Sequence, residues 1–357
     1  MQEELEQLLA SLIAIPSESK NRDACYEIIT FIAQELQGLD LFTTVSQEDD
    51  NPYIIATTKK TRHPHILLAA HLDVVPAHTS QFTLTTVEDK LYGRGAFDMK
   101  FAAACFLTFA KQQREQLKNL DIGFLFTTDE EIGGKAVRKI LEDGWRTDIV
   151  FIPDGGMDWK VEKRAKGALQ VEVTAIGKSA HGSRPWEGEN ALYKVLPFLS
   201  ELRQRYPMQL ASDRSLTFTT AKAGTAWNQV PDTATFTMDF RAFEPEVIET
   251  FRELIAVESQ KHDLNAQITH EIKPLNLDTD HHEVKLFLEQ VSNITGEPAE
   301  FSESYGATDG HWFAHYNIPS IIMQPGGGGH HSPTEWLQRD DLEKYYQLLE
   351  NWLLAKR

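Results

Sequence analysis

Apolar residues recur along the chain with two periods. Leu5, Leu8, Leu9, Leu12 and Ile13 fall at helical spacing ahead of Pro16, and Ile28, Ile29, Ile32 and Leu36 repeat the pattern. Both stretches, 2–15 and 23–37, predict amphipathic surface helices. Tyr53-Ile54-Ile55-Ala56 follows, then His65-Ile66-Leu67-Leu68-Ala69-Ala70. The second run is apolar on both faces, as a central parallel strand is, and it ends at His71. After a loop at Pro76 and a hairpin near Leu91-Tyr92-Gly93, Met99 to Ala110 predicts an apolar helix of small residues. Ile122-Gly123-Phe124-Leu125-Phe126 predicts a second buried strand, ending at Thr127-Thr128-Asp129-Glu130-Glu131. A helix is expected over Gly134 to Asp143. Ile149-Val150-Phe151-Ile152 then predicts a strand that ends at Pro153-Asp154. Alternating strands and helices make an α/β domain, whose sites form beyond the carboxyl ends of the strands.

The period changes near Lys166. Leu169, Val171 and Val173 alternate with Gln170, Glu172 and Thr174, and Phe236, Met238 and Phe240 alternate likewise, the mark of half-buried strands. Helices are expected near 190–204 and 246–261. The expectation is an α+β domain with one sheet face open to water at 166–275, inserted into an α/β domain built from 1–165 and 276–357. The second segment carries a helix over Glu283 to Val291, a strand at Ser320-Ile321-Ile322-Met323 and a closing helix over Leu342 to Leu354. The four glycines 326–329 predict a loop where the backbone bends or approaches something closely.

Composition narrows the partners. A chain of 357 residues exceeds what one core usually holds, and 41% hydrophobic residues are enough for packed cores. The charge, 35 minus 53, is −18, which repels phosphate backbones and leaves no basic patch for anionic lipid. Neither nucleic acid nor a membrane is an expected partner. Cys25 and Cys105 are expected as buried, reduced thiols rather than a disulfide framework. The acidic start Met1-Gln2-Glu3-Glu4-Leu5-Glu6 lacks the basic region of a secretory signal, and no apolar run reaches bilayer length. A cytoplasmic location is the expectation.

The predicted strand ends carry metal-ligand residue types. His71, Asp98, Glu131 and Asp154, with one of His330 and His331, suit zinc, which accepts imidazole and carboxylate near 2 Å. A carboxylate can bridge two ions about 3.5–4 Å apart, and such a pair acidifies a water between them. The expected arrangement puts His71, Asp98 and Asp154 on one ion, and Asp98, Glu131 and a histidine of the 330–331 pair on the other. Asp73, two residues after His71, is placed to orient its imidazole. On an extended segment the side chains of Glu130 and Glu131 point apart. Glu131 can then bind metal while Glu130 serves as general base for that water and passes the proton to the leaving amine. Thr308 and Asp309 are read as a site-lining loop; His281, His282, His311 and His315 are read as structural.

His71-Leu72-Asp73-Val74-Val75-Pro76, Gly93-Arg94-Gly95-Ala96-Phe97-Asp98-Met99-Lys100, Asp129-Glu130-Glu131-Ile132-Gly133-Gly134, and His331 with Glu335 four later together resemble the M20 family of dinuclear zinc peptidases and deacylases. Each stretch alone is unspecific; jointly they span most of the catalytic domain. The resemblance implies a zinc-peptidase domain with a mixed, mainly parallel sheet, and an inserted lid that forms a homodimer. It implies two zinc ions per chain, with cobalt or manganese as substitutes, His331 rather than His330 as ligand, and a cis peptide after Asp98. In the inserted domain, Gly177-Lys178-Ser179-Ala180-His181-Gly182-Ser183 matches the lid histidine, which in the family reaches the partner subunit's site and stabilises the oxyanion. Asn228-Gln229-Val230-Pro231 and Asp239-Phe240-Arg241 match positions that hold the substrate carboxylate, implying substrate roles for Asn228 and Arg241. The expected catalytic set is therefore Glu130, Asp73 and His181.

The expected function is hydrolysis of an amide beside a free carboxylate, in a small peptide or an N-acyl amino acid, by a metal-bridging hydroxide with Glu130 as base. The stretch His181-Gly182-Ser183-Arg184-Pro185-Trp186 differs from that of the desuccinylases, so a diaminopimelate derivative is not singled out. Two other readings stand beside this one: a non-catalytic binding protein on the same fold, and a two-metal phosphoesterase.

Overall fold

The structure, a computed structural model, describes residues 1–46, 51–207 and 213–355. The chain divides into two compact units. One comprises Met1–Lys163, Asn276–Ser304 and Thr308–Arg357; the other comprises Arg164–Leu275 and Tyr305–Ala307.

The first unit is built on a six-stranded sheet in the order Phe42–Ser46, Tyr53–Thr57, Ile122–Thr127, Ile66–His71, Ile149–Ile152, Ser320–Ile322. The last four strands run parallel, and the first two pair antiparallel at one edge. Every residue of Ile66–His71, Ile122–Thr127 and Ile149–Ile152 is buried, as continuous apolar runs require. The helix Lys100–Gln112 is buried from Lys100 to Ala110, which its small residues allow. Phe151, Phe287 and Trp352 pack ring against ring with centroids 5.1–5.6 Å apart, joining the sheet to the helices His282–Thr295 and Arg339–Leu353.

Register carries the chemistry to one edge. His71 pairs with Thr127, and Leu72 N–H donates to Thr127 O at 2.8 Å, so these strands end side by side. Residues 129–131 leave beside His71, and Asp154 follows the neighbouring strand. Two local expectations are corrected. Glu130 and Glu131 lie not on an extended segment but at the start of a short 3-10 helix, Glu130–Ile132. The glycine run is partly strand: Gly327–Gly328 pairs with Trp336–Gln338. A Cβ on Gly327 would collide with the Phe97 ring, so glycine lets this backbone lie against the residue before Asp98.

The second unit holds a four-stranded antiparallel sheet in the order Arg214–Ala223, Thr233–Ala242, Gly167–Ile176, Leu264–Ile272. One face packs Val171, Val173, Phe236, Met238 and Phe240 against the helices Ala191–Arg205 and Pro245–Lys261. Phe240 and Phe251 stack with centroids 3.9 Å apart. The two edge strands escaped the sequence reading. Arg214–Ala223 is largely exposed on both faces, so no alternation marks it.

Candidate metal centre

Asp98 follows a loop, Gly93 to Phe97, that ends in a cis peptide between Asp98 and Met99. Its two oxygens face different histidines: Oδ1 lies 3.1 Å from His71 Nε2, and Oδ2 lies 3.1 Å from His331 Nε2. His331 Nε2 is also 3.0 Å from Glu131 Oε1. Two groups of donor atoms result, each within 4.8 Å: His71, Asp98 and Asp154, and Asp98, Glu131 and His331. His330 stays outside; its ring centroid lies 6.3 Å from that of Phe97. His331 adopts φ 59°, a left-handed conformation uncommon for a side-chain-bearing residue.

The neighbours orient these groups. His71 Nδ1–H donates to the Asp73 carbonyl at 3.0 Å, and the Asp73 carboxylate is farther, at 3.5 Å. Asp73 orients the imidazole through its backbone. Its buried carboxylate accepts the Glu130 N–H at 3.1 Å, the Glu131 N–H at 3.2 Å and the Ser19 hydroxyl at 2.8 Å. It thus caps the 3-10 turn that presents both glutamates.

Negative charge is crowded here. Burial, then Asp154, raises Glu130 well above the carboxylate range. Burial, then Asp98, pushes Asp154 up to about 7. Burial also acts to raise Asp98, but the hydrogen bonds from His331 and His71 outweigh it and hold the group below its usual value. The hydrogen bond to Asp98 pushes His331 up to about 9, though burial opposes it.

The sequence assigns no role to two contributors, Glu335 and Glu162, while Asp309 is expected in a site-lining loop. Glu335 joins neither donor group; its buried carboxylate is the hub of the 94–98 loop. Glu162 accepts the Gly156 N–H at 3.1 Å beside the Asp154 turn, and burial, then Asp154, pushes it up to about 8. Asp309 is buried, and its charge acts on Glu130. A side chain on Gly134 would strike Asp309. The burial of these carboxylates depends on distant chain segments that no local pattern announces.

The remaining expected residues lie in the second unit. His181 is exposed; its Nδ1 accepts the Ser183 N–H at 3.2 Å and lies 2.8 Å from the Ser183 hydroxyl. An Nδ1 that accepts leaves the proton on Nε2. The Gly182 N–H donates to the Asn228 carbonyl at 2.6 Å, so the 177–183 and 228–231 stretches are brought together. Arg241 is engaged internally: Nε donates to Asp239 Oδ1 at 2.8 Å, Nη2 to Asp239 Oδ2 at 3.4 Å and Nη1 to the Tyr305 carbonyl at 3.1 Å.

The sequence profile of peptidase family M20/M25/M40 matches residues 67–355. The chain belongs to this family. It is an M20-type hydrolase. A provisionally named succinyl-diaminopimelate desuccinylase of Mycobacterium tuberculosis is 28% identical over 335 residues, covering 90% of this chain and 89% of that one. A tripeptidase from Staphylococcus aureus has the same fold, with a TM-score of 0.80, 20% identity and coverage of 99% and 98%. So does a dinuclear metal-binding M20 peptidase of Bacillus subtilis, with a TM-score of 0.73, 16% identity and coverage of 99% and 97%.

The M20 donor set fits a metal on this chain's own geometry. His71 gives its Nδ1 proton to a carbonyl, which leaves Nε2, 3.1 Å from the Asp98 carboxylate, as the atom that can take a metal in place of a proton. A cation suits the space between these two atoms, a proton or a metal ion. His331 Nε2 lies likewise 3.1 Å from Asp98 Oδ2 and 3.0 Å from Glu131 Oε1. No helix among the described residues is long and apolar enough to cross a membrane.

Proposed function

We propose that this M20 hydrolase cleaves the amide bond of a small peptide or N-acyl amino acid beside a free carboxylate, using two divalent metal ions, zinc in the first instance. The observation that carries this reading is Asp98, whose two oxygens each face a different histidine within two adjoining donor groups. His71, Asp98 and Asp154 would hold one ion, and Asp98, Glu131 and His331 the other. When bound, the ions supply Lewis acidity for the scissile carbonyl and acidify the attacking water. Glu130 is the general base: it accepts the water's proton and returns it to the leaving amine. Asp73 acts on Glu130 and Glu131 through the backbone it caps, and on His71 through its carbonyl.

The second unit supplies the substrate contacts. His181 carries its proton on Nε2, the tautomer able to donate to a developing oxyanion. By the family resemblance it serves the site of a second copy of the chain, so a homodimer through the second unit belongs to the proposal. Arg241 uses three of its five N–H groups internally and has two left for a substrate carboxylate, with Asn228 beside the His181 turn. Removal of a terminal residue and removal of an acyl group are one reaction at this site. Both fit the names of the relatives, a tripeptidase and a desuccinylase.

The test is a panel of di- and tripeptides, N-acetyl and N-succinyl amino acids and a phosphate monoester, offered to the zinc-loaded protein. Amide cleavage dependent on about two zinc equivalents per chain is expected. Two bound zinc ions with no amide turnover would leave the binding-protein reading, and phosphate release alone would leave the phosphoesterase.

A further inference from the structure

Glu335 is 1% exposed, and both its oxygens are fully employed. Oε1 accepts the Phe97 N–H at 2.9 Å and the Asp98 N–H at 3.0 Å. Oε2 accepts the Gly95 N–H at 3.0 Å and Arg94 Nη1 at 2.7 Å. The loop from Arg94 to Asp98 is therefore wrapped around one carboxylate that arrives 237 residues later. The wrap needs Gly95, which sits at φ +83°, where a side chain would also press on Lys100.

Arg94, itself 3% exposed, extends the arrangement to the other histidine. Its Nη2 donates to the Ser332 carbonyl at 3.1 Å, one residue beyond His331. Gln81 braces the same point: its Nε2 donates to Ser332 O at 3.2 Å, and its carbonyl accepts the Arg94 N–H at 2.8 Å. One buried ion pair thus holds the backbone of Asp98 and that of His331 together. A buried pair is poor evidence for stability, because desolvation offsets the attraction. Ligand atoms, by contrast, must be held within about 0.5 Å of productive geometry.

We propose that Glu335 and Arg94 are positioning residues of the metal centre, setting its affinity by holding Asp98 and His331 in ligating register. This rests on the reading of Asp98 and His331 as ligands. Gln at 335 has the right shape but the wrong hydrogens. Its carbonyl can still accept from Phe97 and Asp98, while its amide sets N–H groups against the Gly95 and Arg94 donors. The turn must open on that side, and Asp98 and His331 move with it.

The test titrates the full-length, metal-free chain with cobalt(II), followed by visible absorption, which reports both affinity and coordination geometry. Glu335→Gln is expected to bind cobalt roughly 10–100-fold more weakly, with an altered spectrum. Arg94→Lys keeps the charge but loses the fork, and serves if Glu335→Gln does not fold; a weaker loss in the same direction is expected. Phe287→Leu, a core change far from the ligands in sequence, calibrates stability: it should lower the unfolding temperature and leave cobalt affinity alone. Wild-type affinity and spectrum in folded Glu335→Gln or Arg94→Lys overturn the proposal, whatever their unfolding temperatures. Asp98→Asn separates the layers. If it keeps two tightly held cobalt ions, the ligand reading is wrong. If it loses them while Glu335→Gln binds normally, only the positioning role fails.

Discussion

The two units place their candidate residues by opposite means. In the first, Asp98 meets His71 across 27 residues and Glu335 across 237, and the groups are largely buried. In the second, His181 is held by Ser183 and Arg241 by Asp239, each two residues away. The cause is the sheet. A strand buried on both faces can present side chains only beyond its end, where loops from distant segments converge. A strand with one open face presents every second residue to solvent, so Asp239 and Arg241 lie side by side and satisfy each other. The first arrangement is specified by tertiary structure; the second keeps its geometry locally.

The largest break in that contrast is expected at Asp98, which both donor groups share. Asp98→Ala should remove most metal from both sites and abolish hydrolysis, measured by elemental analysis and turnover, while the fold survives. Two tightly held ions with normal turnover would end the bridging assignment.

A smaller and sharper effect divides neighbours. Glu130→Gln should keep its metal and lose roughly 10²–10⁴ in kcat, the usual worth of a general base. Glu131→Gln should lose metal first. Equal metal loss in both variants would show that the shared 3-10 turn, not two separate roles, is what the substitutions disturb.

That turn also shows where the sequence was legible. The ends of the buried strands were, because continuous apolar runs stop where His71, Asp129 and Asp154 begin. The conformation of residues 130–132 was not: it depends on Asp73, which accepts both backbone N–H groups from another strand's end. Glu335 stood out only as a residue four after His331; its four donors lie near residue 95. The outer strand Arg214–Ala223 was illegible for a different reason, since a strand exposed on both faces has no pattern to read.

The second unit is tested next. His181→Ala should leave zinc content unchanged and cut kcat by roughly 10²–10³, the worth of an oxyanion donor. Its local hold predicts no loss of unfolding temperature. Mixing His181→Ala with Glu130→Gln allows one complete site per heterodimer if His181 acts across subunits. Subunit exchange seen by mass spectrometry without recovered activity would confine His181 to its own chain or to no role.

The smallest effect is expected at the opposite end of the first unit's strands. His65, just ahead of the strand Ile66–His71, places Nδ1 2.7 Å from Asp148 and Nε2 3.0 Å from Glu283. Burial disfavours the imidazolium, but these two carboxylates outweigh it and raise His65 above 6.5. The same contact lowers Asp148 below 3.8, with His63 adding to it at 3.0 Å. Arg146, His281 and His282 line the same groove. A raised histidine contributes stability that is complete below pH 6.5 and is lost as pH rises through its folded value; the lowered Asp148 sets the acid limit, below 3.8. His65 keeps 35% and Asp148 53% side-chain exposure, so solvent screens the pair and roughly 0.5–1 kcal/mol is the expected scale. The unfolding temperature of the wild type should therefore exceed that of His65→Gln by more at pH 6 than at pH 8, in chelator. Comparing the two proteins at each pH cancels the titration of His71 and His331, which both share. A difference that stays constant or grows toward pH 8 would mean that His65 is held as a neutral ring, and that this end of the sheet does not share the charge-paired construction of the other.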